Sequence, residues 1–68
     1  MTPTELRECL DALRWSQRGL ASALGCDERT ARRWAAGQAE VPGGVAEWLR
    51  RLASFHADTP APQFWKSR

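Results

Sequence analysis

No apolar run in this 68-residue chain approaches the roughly 20 residues that a membrane-crossing helix needs, so no bilayer span is expected. Histidine occurs once, as His56, and cysteine twice, as Cys9 and Cys26, with no metal-ligand spacing among them. The chain therefore reads as free of metal and cofactor, and both cysteines read as small buried apolar residues in a reducing compartment. There is no glycine-rich phosphate loop and no pair of carboxylates in an apolar setting, and so short a chain has no volume for a pocket on the order of several hundred Å³. Neither an enzyme nor a small-molecule receptor is expected. The first residues, Met1-Thr2-Pro3-Thr4-Glu5, lack the basic flank and apolar core of a secretory signal, which leads to the expectation of a cytoplasmic protein.

Hydrophobic residues at 43% and charged residues at 26% are ordinary for a globular domain and unlike a disordered tail. A chain of this length makes one domain at most and buries only about 60% of its unfolded surface, so a partner subunit would add to a marginal core. The net charge is only +2, but it is unevenly placed. Residues 14–34 carry Arg14, Arg18, Arg29, Arg32 and Arg33 against Asp27 and Glu28, a local excess of +3, whereas residues 1–13 are net −2.

Thr2, Pro3 and Glu5 form a helix-start signal, with Thr2 as cap, proline at the first helical position and Glu5 closing a capping box. Leu6, Cys9, Leu10 and Leu13 then follow at the spacing of a buried helical stripe, which predicts a first helix over about 3–14. Ser16 caps a second, short helix to about residue 24 with Leu20, Ala21 and Leu24 inward, and Gly25 ends it. Asp27 caps a third over 28–36, with Ala31 and Trp34 inward and Gly37 as its stop. Residues 38–44 contain Pro42, Gly43 and Gly44 and read as a loop. A fourth helix over about 44–57 carries Val45, Trp48, Leu49, Leu52 and Phe55 along one stripe. The expected organisation is a helical domain over 1–57 and an extended tail over 58–68 that contains Pro60, Pro62, Phe64 and Trp65.

Two short helices separated by about three residues cannot lie end to end and must cross. The stretch from Gln17 to Gly37, QRGLASALGCDERTARRWAAG, resembles the helix-turn-helix of the phage repressor and Cro family, also called the XRE type. Ala21 has to be small where the third helix crosses the second. Gly25 has to bend the chain. Leu20, Leu24, Cys26, Ala31 and Trp34 are expected to form the seam between the two helices. Ala31 and Trp34 replace the family's usual β-branched and medium-sized pair, a small-plus-large exchange that conserves volume. The resemblance implies an all-α, lambda-repressor-like domain of four, possibly five, helices with residues 16–37 as its reading unit.

The resemblance further implies that the third helix lies in the major groove of double-stranded DNA with its N-terminal residues at base edges. Turning about 100° per residue from Ala31 and Trp34 puts Arg29, Arg32, Arg33 and Ala36 on the outward arc, with Glu28 at its edge. Arg29 and one of Arg32 or Arg33 are candidates for paired hydrogen bonds to guanine, and Glu28 for accepting from cytosine N4. The alternative for Glu28 is an i,i+4 surface pair with Arg32. Resemblance assigns Gln17 to a phosphate, in keeping with the free N–H groups of a helix start. Arg14, Arg18, Thr30 and Gln38 are weaker phosphate candidates.

Four tryptophans and two phenylalanines exceed what so small a core uses. Trp48, Leu52, Phe55, Phe64 and Trp65 are therefore expected to build a two-fold homodimer, the alternative being that some of them close the bottom of the monomer core. A dimer would set two reading helices about 34–36 Å apart on a palindromic site. The resemblance implies a small regulator of a phage or mobile-element operon that represses its own transcription. An interaction module docking on another protein through the fourth helix and the aromatic tail is the competing expectation.

Overall fold

Thr2, Ser16, Asp27 and Pro42 precede the four helices of the computed structural model, which describes residues 1–62 and is all-helical among them: α1 Pro3–Leu13, α2 Gln17–Leu24, α3 Glu28–Ala35 and α4 Gly43–Asp58. Thr2 Oγ1 accepts the Glu5 N–H at 3.0 Å and Ser16 Oγ accepts the Gly19 N–H at 2.9 Å. Each such cap is worth about 1 kcal/mol. Only half of the expected capping box forms, because the Glu5 carboxylate accepts instead from Arg50 Nε at 2.7 Å and Nη2 at 3.0 Å. Asp27 precedes α3 without a side-chain cap.

The first three helices end in one way. Trp15, Cys26 and Gln38 donate their N–H groups back to Leu10, Ala21 and Arg33 at 2.9–3.0 Å, while Arg14, Gly25 and Gly37 take positive φ values of 60°, 71° and 77°. These are Schellman closures, which satisfy carbonyls that a helix end leaves without partners. Gly25 and Gly37 adopt this backbone without strain, and Arg14 is the one non-glycine residue of positive φ among the described residues. Arg14 thus ends α1 one residue earlier than the sequence spacing predicts.

α1 packs against both α4 and α3, and α2 packs against α3. Leu6, Cys9 and Leu10 of α1 meet Leu20 and Ala21 of α2, Ala31, Trp34 and Ala35 of α3, and Ala46 and Leu49 of α4. Leu6, Leu20 and Leu49 are fully enclosed. The loop over residues 38–42 also contributes to the core: Val41 is 4% exposed, a buried residue that reading the segment as a polar loop misses.

One expectation is corrected. Cys26 is exposed, because the turn at Gly25 carries its side chain away from the seam between α2 and α3, which Leu20, Ala21, Ala31, Trp34 and half-buried Leu24 form without it. Along the apolar stripe of α4, Leu49 is enclosed and Phe55 is 66% exposed on the protomer. At 1.5 Å per residue, α4 is about 24 Å long and α1 about 16 Å, so α1 cannot cover all of it. α4 runs through Asp58, one residue past the expected domain edge, and residues 59–62 form no regular element. Phe64 and Trp65 lie outside the described residues. No helix among the described residues is long and apolar enough to cross a membrane.

Candidate nucleic-acid interface

α3 divides cleanly into two faces. Ala31, Trp34 and Ala35 are in the core, while Arg29, Arg32, Arg33 and Ala36 are exposed, as a 100° turn per residue requires. Features at both ends and in the middle hold this helix. Its start follows the tight turn at Gly25, and Ala31, with no exposed surface, lies in the core beside α2. At the other end, Arg7 Nη1 of α1 donates to the Ala35 carbonyl at 2.7 Å, placing a cation at the negative end of the α3 dipole. Gly37 completes the anchoring, since a Cβ on it would stand 3.3 Å from Pro3 Cγ, so the chain leaving α3 passes close to the start of α1.

The polar face carries one carboxylate among its arginines. Glu28 Oε1 accepts from Arg18 Nε of α2 at 3.2 Å, and Glu28 Oε2 lies 3.6 Å from Arg32 Nη1. The i,i+4 pair with Arg32 is therefore present, and it is joined by a second cation from the neighbouring helix. Both arginine side chains are well exposed, at 82% and 59%, so water screens these pairs and each adds at most about 0.2–1 kcal/mol to stability. Arg29 and Arg33 have no ion-pair partner among the described residues.

Gln17 is the first residue of α2 and half-buried on the wall of a shallow cleft of about 230 Å³ that Arg7, Leu10, Asp11, Trp15 and Ser16 complete. Arg14 is exposed at the joint before it, Thr30 is half-buried in α3, and Gln38 is exposed just after α3. Trp48 of α4 is half-buried with its ring 5.9 Å from that of Trp15 and tilted by 54°. Trp48 thus packs in part against the protomer's own core. Leu52 is half-buried and Phe55 exposed.

Two contributors went unnoticed in the sequence, Arg7 and the Glu5–Arg50 pair that ties α1 to α4, and the Trp15–Trp48 pairing was not foreseen. A helix end always needs donors, but nothing local says which arginine supplies them. Arg50 holds the Glu5 carboxyl below its ordinary range through their hydrogen bonds, and burial pushes the Cys9 thiol up, keeping it protonated. Comparison with protein-family models, with curated proteins and with solved structures finds no match for this chain. What the arrangement offers is an all-α scaffold that displays an arginine-bearing, two-turn helix on a rigid base.

Proposed function

We propose that this chain is a sequence-specific binder of double-stranded DNA, a transcriptional regulator whose α2 and α3 act as the helix-turn-helix of a lambda-repressor-like domain. The observation that carries this reading is the exposure of Arg29, Arg32 and Arg33 on one face of α3 while its opposite face lies in the core. A helix about 10–12 Å across with its side chains fits a major groove about 12 Å wide. Arg29 and Arg33, without an ion-pair partner among the described residues, donate in pairs to guanine O6 and N7. Gln17, with the free N–H groups at the start of α2, binds a phosphate, and Arg14, Thr30 and Gln38 flank the groove. Two copies pair through Leu52, Phe55 and the Phe64–Trp65 segment, with Trp48 beneath them, and read a palindrome as a cytoplasmic autorepressor of a phage or mobile-element operon. No catalytic step, cofactor, membrane or small ligand enters this role.

Selection of bound duplexes from a random pool tests the proposal, with a palindrome of half-sites one helical turn apart expected. On the selected site Arg29→Ala or Arg33→Ala costs about 1–3 kcal/mol and relaxes base choice, whereas Gln17→Ala weakens all duplexes alike. Equal losses on selected and random DNA for the arginine variants would remove their reading role.

The exposed Phe55 favours a second reading, a module that docks on a larger protein through α4. Salt separates the two. Binding to DNA weakens log-linearly with salt by about 0.9 per phosphate contacted, and docking through Phe55 changes little.

A further inference from the structure

Glu28 is out of place on a surface meant for a polyanion, unless its charge acts on the protein's own groups. We infer that Glu28 is a positioning residue that sets specificity by aiming Arg18 and Arg32 and cancelling part of their charge, rather than by touching a base. This role rests on the DNA-binding reading of α3.

One carboxylate engages cations from two helices. Its Oε1 takes Arg18 Nε across the joint between α2 and α3, and its Oε2 faces Arg32 Nη1 one turn along α3. Each guanidinium has five N–H donors in a planar fork. Arg18 spends only its Nε on Glu28, so both terminal nitrogens stay available, and Arg32 keeps Nε and Nη2. With side chains 82% and 59% exposed, both cations reach into solvent, Arg18 tied to the start of α3 by a hydrogen bond and Arg32 held there by charge alone. Arg29 and Arg33, which carry no such tie, keep their full charge.

Two consequences follow from elementary electrostatics. Two flexible cations with one carboxylate between them attract a phosphate backbone less than two untethered cations, so binding to arbitrary sequence is held down. Where the duplex presents acceptors in the direction set by the Arg18–Glu28 hydrogen bond, Arg18 donates with less left to orient, so the matching sequence loses less. Removing the carboxylate while keeping its shape reverses both effects.

The experiment compares the full chain with Glu28→Gln on the selected duplex and on a random duplex across a salt series, alongside the Arg18 Nε–H resonance of the free protein. The Arg18 resonance should shift in E28Q. Binding to random duplex should strengthen, its log-log salt slope should steepen by about 0.9 for a phosphate newly engaged, and the ratio of selected to random affinity should fall. In an Arg18→Gln/Arg32→Gln background the same Glu28 change should leave the slope alone. An E28Q variant that alters preference at a single base pair with its slope unchanged makes Glu28 a direct base contact and overturns the inference. An unmoved Arg18 resonance overturns it too. A parent chain that binds no duplex at any salt overturns the DNA reading itself, while a parent that binds and an E28Q slope that stays put overturn only the role of Glu28.

Discussion

Arg14 holds a backbone conformation that glycine adopts without strain. Left-handed φ costs an L-residue about 1–2 kcal/mol, and glycine's extra freedom in the unfolded chain offsets roughly half of that. Arg14→Gly is expected to stabilise the fold by about 0.5–1 kcal/mol in chemical denaturation and, under the proposed role, to weaken DNA binding; a loss of stability would contradict the geometry at this joint. The two cysteines should differ in reactivity. Cys26 is exposed and Cys9 buried, so a thiol reagent should modify one site per chain quickly and the second only on unfolding. Glu5 carries a pH prediction. Its carboxyl is held below the ordinary range by Arg50, so the stability it contributes is present above its unfolded pKa and is lost as pH falls through the folded one. Glu5→Gln should therefore lower the melting temperature at pH 7, with the gap to the parent closing below the usual carboxylate range. Side-chain chemistry made Cys26 look buried. Its exposure follows from the turn at Gly25, which composition does not report.

At the scale of elements, α3 depends on what grips it. Its eight residues are too few to form a stable helix alone, since isolated helices under about 12–15 residues are marginal in water. The hold comes from Ala31 and Trp34 in the core and from Arg7 at the far end. Arg7→Ala leaves the Ala35 carbonyl without this donor and should cost about 1–2 kcal/mol, measured by urea denaturation, with hydrogen exchange quickening in the last turn of α3 before elsewhere. Helix starts, stops and inward faces were legible beforehand, because caps and apolar spacing act within a single turn. The exposed arc of Arg29, Arg32 and Arg33 was legible for the same reason. The Arg18–Glu28 tie was not, since it depends on the angle at which α2 meets α3.

As a whole molecule, a chain this small is expected to hold about 0.05–0.15 kcal/mol of stability per residue, a total of roughly 3–10 kcal/mol. Truncating any of the three enclosed leucines removes about 2–5 kcal/mol of it. Leu49→Ala should thus lower the melting temperature sharply by circular dichroism, and Leu52→Ala, which is half-buried, should lower it less. If α4 pairs two copies, the melting temperature rises with protein concentration and Phe55→Ser abolishes that rise without unfolding the protomer. A concentration-independent melting temperature together with a monomer in sedimentation would exclude the dimer.

Where each helix begins, which face it turns inward and where positive charge collects are all written in contacts of three or four residues, which the backbone's 3.6-residue period enforces whatever the rest of the chain does. The pairs that lock those helices together join residues 10, 28 and 45 positions apart: Arg18 with Glu28, Arg7 with Ala35, and Arg50 with Glu5. Val41 filling the core from a loop and Trp15 meeting Trp48 belong with them. Such partners are chosen by how the helices cross, and crossing angles arise from the packing of all four at once, so only the folded arrangement could select them.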